Sequence, residues 1–158
     1  MRKVDRWYRL AHDLQARGVP VVPKLISYAV RFIFGCWIPP QTEIGEGTVF
    51  GYGGLGVVVH GDTRIGRGCS IGQNVTIGGG RGGPSADGRS LPKLGDNVIV
   101  GAGAVILGAV EIGDDAIIGA NAVVVTDVPA RTVFGGVPAR ELRKRRENDI
   151  DGASVLGG

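Results

Sequence analysis

Histidine, cysteine and aromatic side chains are scarce in this chain: two His, two Cys, four Phe, three Tyr and two Trp among 158 residues. Two cysteines, Cys36 and Cys69, make neither a disulfide framework nor a metal-ligand spacing, so no metal is expected. Reduced thiols in a cytoplasmic protein are the default reading. With so few aromatics and no recognition motif, the excess of 18 Lys+Arg over 15 Asp+Glu does not point to nucleic acid. Long apolar runs are also missing. Leu25–Ile38 is too short to span a bilayer and carries Arg31. The charged start runs into Trp7, Tyr8 and Arg9 rather than an apolar core, so no secretory signal is expected.

Glycine is abundant instead, at 29 residues, without the third-position period of collagen. Its placement follows another rhythm. Leu94, Val100, Ile106, Ile112, Ile118 and Val124 recur at every sixth position, four of them followed by Gly95, Gly101, Gly113 and Gly119. Small or β-branched residues sit four places on, at Val98, Ala104, Val110, Ala116, Ala122 and Val128. A period of six fits neither a helix nor a flat strand. It predicts an all-β fold, a parallel β-helix of hexapeptide repeats in which each hexad gives one strand and one corner. Cys69 falls at an inward place and reads as a small core residue.

Three units are expected: a helical leader over 1–36, the coil over 37–139, and a short basic helix with a flexible tail over 140–158. The leader predicts helices over 3–17 and from Lys24 to about Gly35, with Pro23 at the second start. They would cover the open end of the coil, whose unpaired strand edges need protection. Residues 1–31 hold seven basic and two acidic side chains. With the apolar second helix, that also suits contact with a membrane surface. The hexads slip by three residues between Phe50 and Val59, and eleven more are extruded in the glycine-rich loop 79–93. Such a loop on a rigid coil is where function concentrates.

Ile71-Gly72-Gln73-Asn74-Val75-Thr76-Ile77-Gly78-Gly79, Val100-Gly101-Ala102-Gly103-Ala104, Ile118-Gly119-Ala120-Asn121-Ala122 and Gly135-Gly136-Val137-Pro138-Ala139-Arg140 together resemble the hexapeptide-repeat acyltransferases. The resemblance is to the serine acetyltransferase group and to polysaccharide O-acetyltransferases similar to it. It implies a left-handed coil and a homotrimer binding acetyl-CoA between neighbouring prisms. It also implies that Ala102 and Ala120 line the pantetheine groove and that Arg140 and Lys144 face coenzyme phosphates. For Lys144, a solvated basic helix is an equal alternative. Serine acetyltransferases carry an Asp-His pair where this chain has Gly51 and Tyr52, an Asp at the place of Trp37, and a His at the place of Leu91. The expectation is therefore a sugar or glycan hydroxyl as acceptor. The alternatives are a serine O-acetyltransferase with an altered site and a non-catalytic trimeric scaffold.

His60 stands at a corner where neighbouring hexads place glycine, beside the three-residue slip. An imidazole there is suited to take a proton from a hydroxyl as it attacks a thioester. The bland reading is a ring that merely satisfies a corner carbonyl. Gly78 and Gly79, at the root of the loop, are the candidate backbone donors to an oxyanion. Asp62 is a candidate to orient His60, though adjacency in sequence does not establish it, and is grouped with Tyr52, Arg81 and Arg89 as side chains expected to meet the acceptor. No nucleophilic Cys or Ser stands out, so direct transfer is expected. His12, mid-helix, reads as a solvated side chain.

Overall fold

The computed structural model describes residues 3–80, 88 and 91–149. Short strands wind around three faces. The first face stacks Glu43–Ile44, Arg64–Ile65, Lys93–Leu94 and Glu111–Ile112. The second stacks Val49–Phe50, Ser70–Ile71, Ile99–Val100, Ile117–Ile118 and Thr132–Gly135. The third stacks Val58–Val59, Thr76–Gly78, Val105–Leu107 and Val123–Val124. Every pairing between these coils is parallel.

The register reproduces the hexad arithmetic. Leu94 pairs with Ile112 (112 − 94 = 18), one full coil of three hexads. Phe50 pairs with Ile71 (71 − 50 = 21) and Ile77 with Ile106 (106 − 77 = 29), which places the three-residue slip and the eleven-residue loop. The slip is taken up at Gly51–Gly54, a 3₁₀ turn in which Tyr52 and Gly53 have positive φ.

The hexad residues point inward in three columns, one per face, whose members are a full coil apart: Ile65, Leu94 and Ile112; Phe50, Ile71, Val100 and Ile118; Val59, Ile77, Ile106 and Val124. The residues four places on, from Val98 to Val128, are buried as well. Each large aliphatic side chain so buried contributes roughly 1.5–3 kcal/mol. No hexad could bury its own apolar residue alone, so the coils stabilise one another.

Helix α1 (Lys3–Ala16) packs on helix α2 (Val22–Phe34). Pro23 lies in the first turn of α2, and Gly35 closes it in the left-handed conformation, its N–H donating to the Arg31 carbonyl. Val4, Tyr8 and Val30 join the same core as Cys36, Ile38 and Phe50, so the leader covers the first coil. His12 departs from expectation. It is half-buried, and Nδ1 lies 2.7 Å from the Pro40 carbonyl, which can only accept, so the ring donates and ties α1 to the chain entering the coil. Among the described residues no helix is long and apolar enough to cross a membrane.

The C-terminal segment corrects the sequence reading more sharply. Arg140–Lys144 is a strand, not a helix, and pairs antiparallel with Thr132–Gly135 across the turn at Gly136-Val137-Pro138. The physical reason is the edge. After the last coil, Thr132–Gly135 would present unpaired backbone groups, and the returning strand satisfies them. Arg143 and Asp149 then pair bidentately at 2.5 and 2.7 Å. That ion pair, with the Arg146 N–H, holds the Asp149 carboxyl well below the usual range. Residues 150–158 of the expected tail lie outside the described residues.

Candidate functional site

The corner His60-Gly61-Asp62-Thr63 joins the third face to the first. His60 donates its backbone N–H to the Ile77 carbonyl of the next coil, which holds the residue above the root of the extruded loop. The ring is half-exposed. It lines a cavity of about 580 Å³ together with Gly78, Gly79 and Thr76 from the next coil. The other wall is the leader and its exit: Lys24, Ser27 and Tyr28 of α2, with Trp37, Pro39, Pro40 and Gln41. Gln41 packs so closely on the corner that a Cβ at Gly61 would stand 2.2 Å from its Nε2.

Nδ1 of His60 lies 3.3 Å from the Asp62 N–H and 3.9 Å from Asp62 Oδ2. Accepting from that N–H leaves the neutral ring's proton on Nε2. A general base acting through Nε2 requires the other tautomer, with Nδ1–H toward the Asp62 carboxylate. Asp62 is therefore beside His60. Neither thiol competes as a nucleophile. Burial pushes Cys36 and Cys69 up to about 11 each, so both are protonated at neutral pH.

The remaining candidates separate. Tyr52 is exposed and lies away from His60, in a second groove of about 230 Å³ that it lines with Gly72, Gln73, Gly101 and Ala102. Ala102 and Ala120 occupy equivalent corners of successive coils. Those corners are tight: a Cβ at Gly101 would stand 2.5 Å from the Ala120 nitrogen. The result is a strip with no side chain larger than methyl at Gly101, Ala102 and Ala120. Arg140 is exposed and donates to the Ala139 carbonyl at 2.8 Å. Lys144 pairs with Glu141 at 2.9 Å on the terminal strand, which corrects the helical setting expected of both. Arg81 and Arg89 lie outside the described residues.

Sequence reasoning missed Lys24, Tyr28, Trp37 and Gln41 as neighbours of His60. Tyr28 and Trp37 have ring centroids 5.6 Å apart, and the Arg31 guanidinium stands 5.6 Å from the Trp37 ring. A clustering of both Trp and two of three Tyr before residue 38 was the only available signal. A larger groove of about 770 Å³ runs along the first face. Four of its charges pair, Glu43 with Arg64 at 3.0 Å and Lys93 with Glu111 at 3.3 Å, and His60 is not part of it. Among the described residues no group of three or more His, Cys, Asp or Glu converges as a metal site.

The bacterial transferase hexapeptide (six repeats) family model matches residues 92–126. A serine acetyltransferase of Synechococcus elongatus is 41% identical over 135 residues, covering 85% of this chain and 54% of that protein. One from Helicobacter pylori J99 is 42% identical over 139 residues, covering 88% of this chain and 79% of that protein. Among solved structures, a serine acetyltransferase in complex with cysteine superimposes with TM-score 0.83 at 34% identity, over 96% of this chain and 57% of its own. The Brucella abortus S19 serine acetyltransferase in complex with coenzyme A gives TM-score 0.81 at 33% identity, over 89% and 55%. The chain thus spans about half the length of several of these relatives, and its coil is the left-handed β-helix of the hexapeptide-repeat fold.

Proposed function

Because this chain belongs to the serine acetyltransferase family, we propose that it moves an acetyl group from acetyl-CoA to the hydroxyl of serine, with His60 as general base. The sugar or glycan acceptor expected from the sequence is withdrawn. That expectation rested on Trp37, Gly51, Tyr52 and Leu91 standing where the family has Asp and His residues, whereas the similarity to serine acetyltransferases extends over 85–88% of the chain. Changes at those places do not outweigh that similarity, and the chain keeps an imidazole, His60, in a cavity one corner further along. Its presence in a cavity also weighs against a scaffold without chemistry.

The single observation that carries the reading is the convergence of His60, Gly78 and Gly79 on one cavity. Bound acetyl-CoA supplies the activated thioester. The narrow strip at Gly101, Ala102 and Ala120 has room for its pantetheine arm, and Arg140 stands in the family's phosphate-facing run. His60 Nε2 takes the proton from the serine hydroxyl as the oxygen attacks. Gly78 and Gly79, lining the same cavity, are the proposed source of backbone donors to the charge that develops on the carbonyl oxygen. The imidazolium then holds the proton for return to the departing sulfur. With both thiols buried and protonated, transfer is direct. The protein is read as a cytoplasmic homotrimer, with the coenzyme between neighbouring coils.

Thiol release from acetyl-CoA with L-serine as acceptor tests the reading. His60→Ala should keep the fold and coenzyme binding while lowering kcat by about a hundredfold or more, the usual weight of positioned proton transfer. No serine-dependent thiol release by the wild type would overturn the acceptor; a fully active His60→Ala enzyme would overturn the base.

A further inference from the structure

Helix α2 is apolar on two sides. Pro23, Ser27 and Val30, spaced four and three apart, are buried toward α1 and the coil. The opposite side presents Val22, Leu25, Ala29, Phe32 and Ile33 to solvent, with Leu25 60%, Ile33 70% and Phe32 95% exposed. Their spacing makes a continuous stripe along the helix. A stripe of this length on a soluble surface marks a place of contact.

The charges beside it have one sign. Lys24 and Arg31 lie in α2 and Arg17 precedes it, while no Asp or Glu occurs anywhere from residue 14 through residue 42. Lys24 has no hydrogen-bond or ion-pair partner among the described residues. We propose that α2 seats the protein on an anionic lipid surface, with its apolar stripe at the headgroup boundary and Lys24 and Arg31 toward the lipid phosphates. At 13 residues the helix is about 20 Å long, which suits lying in the interface and not crossing it. Charge decides against a second copy as the occupant. Pairing this face with itself would bring two Lys24 and two Arg31 together with no acid among them. A phosphate surface offers the missing sign. Lys24 and Tyr28 also line the His60 cavity, so docking brings the mouth of that cavity to the lipid boundary.

Co-sedimentation of the full chain with vesicles tests this independently of any acetyl transfer. The wild type should pellet with phosphatidylcholine vesicles containing phosphatidylglycerol at low salt, release at high salt, and stay in solution with phosphatidylcholine alone. Phe32→Ser and Ile33→Ser, both at open positions, should each lower partitioning by about tenfold or more with circular dichroism unchanged. Lys24→Gln and Arg31→Gln should each lower it by about fivefold. Failure to pellet with the anionic vesicles at low salt overturns the proposal. So does equal pelleting by Phe32→Ser. An assembly in lipid-free buffer that Phe32→Ser splits, seen by sedimentation velocity, would overturn it in favour of a second copy.

Discussion

His60 and the two cysteines show how burial sorts reactive side chains in this molecule. The imidazole sits at a corner and keeps half its surface in water. Cys36 and Cys69 lie inside the coil, where an ionised sulfur would lose its hydration, and burial raises both thiols from 9.0 to about 11. The folded protein therefore holds these protons between pH 9 and 11, while the unfolded chain releases them. Stability is full below pH 9 and falls as pH rises through that window, on the order of 2 kcal/mol per thiol. Tyr8, raised to about 12 by burial, adds to the loss at the upper end. The melting midpoint should drop between pH 8 and pH 10.5, and less so in the Cys36→Ala, Cys69→Ala double variant. An aromatic disulfide reagent at pH 8 should label neither thiol until denaturant is added. Stoichiometric labelling of the native protein would contradict the assignment of both as core residues.

At the scale of elements, the corner between the second and third faces carries the most specific sequence demand. Asn74, Gly103 and Asn121 all take positive φ there, in three successive coils, a conformation that Gly and Asn tolerate best. One step earlier, Gly72 and Gly101 leave no room for a side chain between coils. Ala120 is exposed at the end of this strip, so Ala120→Trp should fold normally yet obstruct the groove. Calorimetric titration with coenzyme A should then show binding lost, with the melting midpoint within a degree or two of wild type. Undiminished binding would place the coenzyme elsewhere. The terminal strand makes a different point. Its Arg, Glu, Leu and Lys are good helix formers by propensity, but the open edge at Thr132–Gly135 outweighs a preference worth tenths of a kcal/mol per residue.

For the whole molecule, the first face bears on assembly. Its outward residues form a ladder of Glu43, Arg64, Lys93 and Glu111, ion-paired two by two and flanked by a broad groove. Exposed ion pairs of this kind add little to the stability of one chain. The family reading places the coenzyme between neighbouring coils, so light scattering at micromolar concentration should report about 49 kDa, three times the 16.4 kDa chain. A monomer under those conditions would leave the proposed coenzyme site half-built.

A period of six is a local property, and the chain alone therefore determined the three-sided coil, its inward columns, the slip before Val59, the site of the extruded loop and the isolation of His60 at a corner. Each follows from which residues recur at which spacing. What surrounds His60 is not local. Tyr28 and Trp37 arrive there because α2 folds back over the first coil, Tyr52 is turned away by the 3₁₀ turn, and His12 is claimed by the Pro40 carbonyl. The same holds at the other end, where a segment with helical propensity became a strand because an edge was waiting. The acceptor was misjudged for a related reason. Absent residues at matched positions report only that one corner has changed, while the tertiary structure decides what surrounds the imidazole that remains, at His60.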